Sequence, residues 1–184
     1  MRNSRGGRLV GPVALAALLA LSGCRTSEQR ASEQSRAEAG AATVTKVVDG
    51  DTLHVRPVSG GDGDEKVRLI GVDTPETQGR GGLRECFGAE ATKRLQALLP
   101  VGTRVRLVRD VEPRDRYGRL LAYVYRAPDG LFVNLALARE GFATTLTYPP
   151  NVAHTQDLSD AVRDARQAQR GLWRSCGGAD TPAR

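Results

Sequence analysis

Two short runs in the first half of the chain concentrate residues suited to chemistry. One is Val48-Asp49-Gly50-Asp51-Thr52; the other is Val67-Arg68-Leu69-Ile70-Gly71-Val72-Asp73-Thr74-Pro75-Glu76. Acids and arginines are almost never fully buried unless paired, yet here they are set in strand-like apolar sequence. A hard cation and an anionic substrate together account for them. Asp51 and Asp73 offer carboxylate oxygens to such a cation, and a main-chain carbonyl such as that of Thr74 completes the protein's share while leaving places for water. Glu76 follows Asp73 by three residues, with Pro75 stiffening the chain between them, and is the candidate general base. Arg68 and Arg119 supply guanidinium forks that fit phosphate oxygens bidentately and stay charged. Charge-stabilising donors of this type are worth roughly 3 to 4 kcal/mol each in a transition state. These are the parts that metal-assisted hydrolysis of a phosphodiester requires. The Cys and His clusters that zinc favours are missing from the sequence, and the two histidines, His54 and His154, read as structural or solvent-facing.

The elements that must position these residues follow from periodicity. Thr43 to Val48, Thr52 to Val58 and Lys66 to Val72 are rich in β-branched residues, with a Gly/Asp-rich turn at Ser59 to Asp64. Three successive strands are expected. Ala91, Leu95, Leu98 and Leu99 share one helical face, which Pro100 and Gly102 terminate. Strands are expected again at Arg104 to Val111 and Leu120 to Tyr125. Asn134 is the expected cap of a short helix, Leu135 to Glu140, that ends at Gly141. A last helix carries Leu158, Ala161, Val162 and Ala165 and stops at Gly171. Trp173 reads as core. The fold class is α+β, mainly β: a small five-stranded closed barrel with helical cover.

With 184 residues and 40% hydrophobic content, the chain has room for one domain and appendages. Arg2, Arg5 and Arg8 precede an apolar run from Leu9 to Leu21, followed by Ser22-Gly23-Cys24. That is the layout of a secretory signal, too short to span a bilayer stably. Its Leu-Ser-Gly-Cys ending resembles a bacterial lipobox, which implies cleavage before Cys24 and acylation of that cysteine; a plain secretory signal is the alternative. The expected organisation is a signal over residues 1–23, a solvated linker over 24–42, one domain over 43–176 and a frayed tail over 177–184. The formal charge of +6 comes from 27 basic and 21 acidic residues, and three of the arginines lie in residues 1–23, which hold no acid. Overall charge is therefore weak evidence for a polyanionic partner. Cys86 and Cys176 remain as an even pair, which in an exported domain suggests a disulfide, with two buried or free thiols as the alternative. The chain-entropy model assigns a loop of that length roughly 4 to 5 kcal/mol.

The two acidic runs, together with Asp115-Arg116-Tyr117-Gly118-Arg119-Leu120-Leu121-Ala122-Tyr123 and the closing Gly171-Leu172-Trp173, closely resemble the staphylococcal nuclease (thermonuclease) family. The resemblance extends in order over about residues 43–173. It implies an OB-fold barrel with three helices, Ca²⁺ dependence, and hydrolysis of DNA and RNA to 3′-phosphorylated products. Matched position by position, Asp51, Asp73 and the Thr74 carbonyl look like calcium ligands. Glu76 looks like the water-orienting or base residue, and Arg68 and Arg119 look like the phosphate clamps. Tyr117 and Tyr148 match pocket tyrosines, with ordinary amphipathic packing as their alternative; Arg116 is grouped with them as substrate-binding. Leu146 stands where a second pocket tyrosine is expected, which implies weaker nucleotide binding. The hairpin from Arg56 to Lys66 is slightly longer than usual, and residues 78–85 carry two arginines where relatives often have lysines. Asp49 and Asp115 are read as orienting neighbours through hydrogen bonds.

The expected protein is thus a monomeric, lipid-anchored, extracytoplasmic nuclease acting on DNA and RNA, preferentially single-stranded. Two rival readings are a noncatalytic OB-fold module that binds nucleic acid at the cell envelope, and an envelope scaffold whose acids bind calcium structurally. The second leaves Arg68 and Arg119 without a reason.

Overall fold

Alternation of apolar and polar residues over three consecutive segments builds the first half of a barrel. A computed structural model of the chain describes residues 40–59, 63–77, 84–179 and 181–182. The expected signal segment, Cys24 and nearly all of the linker lie outside the described residues. Strands β1 (Ala41–Val47), β2 (Thr52–Pro57) and β3 (Glu65–Leu69) turn Ala42, Val44, Leu53, Val55, Val67 and Leu69 inward, all fully buried. Strand β4 (Gly71–Asp73) follows at once, and then helix α1 (Gly88–Leu98). β5 (Arg104–Val108) and β6 (Leu120–Arg126) add Val105, Ala122 and Val124 to the same core. The barrel closes in the order β1-β2-β3-β6-β5, with β3 and β6 parallel and the other pairs antiparallel. Closure pairs each of these five strands on both sides.

Helix α2 (Val133–Glu140), strand β7 (Thr144–Leu146), helix α3 (Thr155–Gln167) and the short helix α4 (Leu172–Ser175) complete the described elements. Three helices cover the barrel as expected from the sequence, and α4 adds a fourth. Leu95 and Leu98 of α1, Leu137 of α2 and Leu158 and Ala161 of α3 join one apolar cluster with the barrel interior. Gly141 ends α2 in the left-handed region, at φ 76°, as its position after the helical run predicts.

Several boundaries differ from the sequence reading, each for a tertiary reason. The strand expected over Lys66 to Val72 breaks after Leu69. Gly71 takes φ 80°, and β4 leaves the barrel to pair with β7, Val72 facing Thr145. A side chain at Gly71 would run into Leu158 as well as strain the backbone. Asn134 is not a helix cap. Phe132 occupies that position, and Asn134 lies fully buried inside α2. Its Oδ1 accepts the Val124 N–H at 2.9 Å and its Nδ2 donates to the Ile70 carbonyl at 2.8 Å. The amide fills the gap opened where β3 peels away from β6, satisfying backbone groups a continuous strand would have paired. β1 begins at Ala41, inside the expected linker, because Ala41 and Ala42 pair with Arg106 and Val105. Trp173 is half-buried; the fully buried residue of that turn is Leu172.

Cys86 and Cys176 form a disulfide with Cα atoms 6.0 Å apart, tying the approach to α1 to the end of α4. Beside it, the Cys86 N–H donates to the Thr181 carbonyl at 2.7 Å and Glu85 bridges to Pro182. The region expected to fray is pinned at these two residues.

Candidate active site

The first acidic run forms the turn between β1 and β2. Val48 and Asp49 donate backbone N–H groups to the Thr52 carbonyl, and Asp49 Oδ1 accepts the Asp51 N–H at 3.2 Å. Gly50 is required here by close approach: a Cβ would lie 2.5 Å from Thr74 Oγ1 and 2.8 Å from the Ala91 Cβ. That proximity brings the second run onto the first. Asp51 Oδ2 accepts both the N–H of Thr74 at 3.0 Å and its hydroxyl at 3.2 Å, while Oδ1 accepts the Thr52 hydroxyl at 3.0 Å.

Arg68 joins the two acids. Its Nη1 lies 3.0 Å from Asp51 Oδ2 and donates to the carbonyls of Val72 at 2.8 Å and Leu69 at 3.1 Å. Its Nη2 donates to Asp73 Oδ1 at 2.7 Å. The break after β3 makes this possible, because it swings Asp73 back over the strand that carries Arg68. Asp51 and Asp73 therefore converge on one guanidinium despite lying 22 positions apart in sequence.

The neighbourhood is rich in negative charge. Burial raises the Asp51 carboxyl above its ordinary range; Arg68 opposes the shift, and Asp49 and Asp73 add to it. Glu76 stays exposed at the surface, and its N–H donates to Glu85 Oε2 at 2.8 Å. Loss of water around the Glu76 carboxyl, and then the charges of Asp49, Asp73 and Glu85, raise its pKa. Glu85 escaped the sequence reading because only its backbone pairing with Glu76 brings it near.

On the other side of Arg68 an open pocket of about 420 Å³ is lined by Arg119, Tyr117, Tyr148, Leu146 and Arg116, among others. Asp115 organises this wall. Its Oδ1 accepts the N–H groups of Tyr117 at 2.9 Å and Arg119 at 3.0 Å, and its Oδ2 takes the Arg119 Nε at 2.7 Å. Arg119 hydrogen-bonding holds the Asp115 carboxyl below its usual range, against the opposing effect of burial. Tyr117 and Tyr148 are 68% and 71% exposed, so neither is a packing residue. The guanidinium of Arg116 sits 4.8 Å from the Tyr117 ring centroid and donates to its hydroxyl, and Arg119 lies 5.5 Å from the same ring. Asn151, which the sequence reading did not single out, lines the pocket and clasps Glu112 through both backbone groups, at 2.7 and 2.9 Å. Its only sequence signal is a place in a Pro-Pro-Asn turn, which gives no hint of a partner 39 residues away.

Oxygen donors gathered beside permanently charged guanidiniums, on the wall of an OB-type barrel, are the marks of a protein that handles phosphate esters. The sequence bears this out at the level of family: residues 66–175 match the family model described as staphylococcal nuclease homologue. The thermonuclease of Staphylococcus intermedius is 42% identical over 131 residues, spanning 71% of this chain and 74% of that protein. The thermonuclease of Staphylococcus hyicus is 36% identical over 131 residues, with 71% and 73% spanned. Endonuclease YhcR of Bacillus subtilis is 36% identical over 140 residues, and the match spans 11% of that much longer protein. This chain belongs to the staphylococcal nuclease family.

Proposed function

We propose that this protein is a Ca²⁺-dependent nuclease that hydrolyses DNA and RNA to 3′-phosphorylated products outside the cytoplasm, tethered to a membrane through lipidated Cys24. The observation that carries the reading is the clamp of Asp51 and Asp73 on Arg68, at 3.0 and 2.7 Å, next to the pocket lined by Arg119 and Tyr117. Membership in a family whose named relatives are thermonucleases and endonucleases supports it.

The acids suit a hard cation. The donors are all oxygen; loss of water comes first in raising the Asp51 and Glu76 pKa values, and the crowded carboxylates around them add to it. Among the described residues no three His, Cys, Asp or Glu side chains are grouped to hold a metal. In this reading Asp51, Asp73 and the Thr74 carbonyl hold the ion, and water completes its coordination. Bound there, calcium supplies positive charge against the phosphate and polarises water. Glu76 orients the attacking water or takes its proton. Arg68 and Arg119 bind the phosphate oxygens as charge builds on them, and Asp115 keeps Arg119 aimed. Tyr117 and Tyr148 offer exposed rings for base stacking, which tolerates any sequence, and Arg116 adds a cation at the rim. Unpaired bases reach such rings more easily than stacked ones, which favours single-stranded substrate. The protein acts as a monomer in this scheme. No helix among the described residues is long and apolar enough to cross a membrane; the tether at Cys24 rests on the Leu-Ser-Gly-Cys sequence.

Incubating labelled single- and double-stranded DNA and RNA with Ca²⁺ or with a chelator, and identifying the product ends, tests this reading. Expected are 3′-phosphate ends, loss of digestion in chelator, and a fall of about 10²- to 10³-fold in Arg119→Ala. Undiminished digestion under both treatments would refute it, and a mobility shift without product would make the protein a binding module instead. Fractionation of wild type against Cys24→Ala tests the tether.

A further inference from the structure

Away from this site, the outer wall of the barrel carries a row of basic side chains. Strand register sets Lys46 of β1 opposite His54 of β2, and His54 opposite Lys66 of β3. Leu53, Val55 and Val67 are buried in the barrel, so alternation turns His54 and Lys66 outward. The register shift between Val44 and Lys46 brings Lys46 out beside them. Both lysines are exposed. The next row along the strands aligns Arg56 and Arg104 on either side of Thr43, again exposed. In the opposite direction the adjoining row is Thr52 with Arg68, the residue that grips Asp51 and Asp73. Same-face rows are about 7 Å apart and neighbouring strands about 4.8 Å. The basic row is therefore a single step from the candidate active site.

The acids described nearby hydrogen-bond to other partners, and Asp64 also exerts its charge on His54. Asp64 is held by Arg56 and by the Thr45 hydroxyl, and Glu65 by both ends of the Arg114 fork. Among the described residues neither Lys46 nor Lys66 makes an ion pair. The two lysines thus present exposed positive charge that no ion pair among the described residues neutralises. It contains no Tyr, Phe or Trp, so it suits backbone phosphates and not bases.

We propose that Lys46 and Lys66, with His54 between them, bind the phosphates of a nucleic-acid strand beyond the nucleotide being cut, a proposal that rests on the nuclease reading. The row lets the protein hold a polymer that a short substrate cannot match in grip, and it offsets the shortage of lysines over residues 78–85.

The test uses the full chain with Lys46→Gln and Lys66→Gln combined, and a labelled oligothymidylate in chelator so that binding is read without cleavage. Each single-strand phosphate contact contributes about 0.7 to the slope of log affinity against log salt. The double variant is expected to lower that slope by about 1.4 and to weaken binding several-fold at low salt. The Lys46→Arg, Lys66→Arg pair should retain the wild-type slope. An unchanged slope in the glutamine variant overturns the proposal. So does a loss confined to vesicles of anionic phospholipid, which would make the row a membrane-facing surface. Wild-type cleavage of a dinucleotide with Ca²⁺, run in parallel, reports on the active site alone: its failure sinks the nuclease reading, while the salt slope still judges the row.

Discussion

Replacing Asn134 by Leu tests whether one buried amide holds the break that shapes the site. The side chains share one branched shape, so no cavity is opened, although the leucine methyls need more room than the amide and add some overpacking. What changes is polar pairing. The Val124 N–H and the Ile70 carbonyl, held at 2.9 and 2.8 Å, both lose their partner in a fully buried position. Leaving one such group unsatisfied costs about 1 to 3 kcal/mol, so two cost roughly 2 to 6. Burying a more apolar side chain returns part of this, about 1 kcal/mol. The expected net loss is about 3 kcal/mol, a large share of the roughly 5 to 15 kcal/mol typical of a domain. Urea denaturation followed by tryptophan fluorescence and circular dichroism should show the lower midpoint with an unchanged slope. Asp73 is carried by the segment that leaves the barrel at Ile70, and its 2.7 Å contact with Arg68 depends on that swing. Misplacing a reacting group by about 1 Å can cost about 10²-fold in rate, so cleavage by the still-folded fraction should fall at least 10-fold. A stability loss under about 1 kcal/mol would refute the pairing argument. A destabilised variant with full activity per folded molecule would refute the link to the site.

Further predictions follow from other contacts. Asp115→Ala frees Arg119 and removes the acceptor of two backbone N–H groups; cleavage kcat should drop at least 10-fold while unfolding midpoints move less than for Asn134→Leu, and steady-state kinetics with a dinucleotide checks this. Leu146→Tyr adds a ring to the pocket beside Tyr117 and Tyr148. With stacking worth about 1 to 3 kcal/mol per base, mononucleotide affinity measured by calorimetry should rise at least 5-fold. Tyr123, buried and donating to Asp110 Oδ2 at 3.0 Å, has its pKa raised by desolvation and by that bond, from 10.0 to about 12. Because the folded value lies above the unfolded one, its contribution to stability is complete below pH 10 and is lost as pH rises through about 12. Denaturation midpoints should decline over that window in wild type and more shallowly in Tyr123→Phe.

Patterns that depend on near neighbours were legible in the sequence. Val67 and Leu69 alternating with Lys66 and Arg68 announced a half-buried strand, and Leu95 with Leu98 announced the inner face of α1. That Asp51, Asp73 and Arg68 share one cleft was also readable; their direct pairing was not, because the sequence pointed to a cation and a substrate as the partners of those charges. What stayed hidden depended on distant partners. Asn134 precedes a helical run and carries a good capping side chain, so local rules assign it a cap; its actual partner, Ile70, is 64 residues away. The break at Gly71 was masked by apolar residues on both sides that suit a continuous strand. Trp173 outranks Leu172 by size, yet Leu172 is the residue buried and the Trp173 ring lies only half-buried, 5.5 Å from the Arg166 guanidinium. The closeness of Glu85 to Glu76 could not be foreseen, since it comes from a loop closure and not from periodicity.

The parallel pairing of β3 with β6, which joins Val67 to Leu120 across 53 positions, has a consequence for biosynthesis. A chain made from its N-terminus displays β3 with an open side until β6 emerges, and Arg119 arrives only as that strand begins. Truncated or half-synthesised molecules hold the acids and Arg68 but lack the second guanidinium and a sealed barrel. Under the nuclease reading, a chain cut short of β6 has one phosphate-binding arginine where the finished molecule has two, and a pocket without the wall that carries the other.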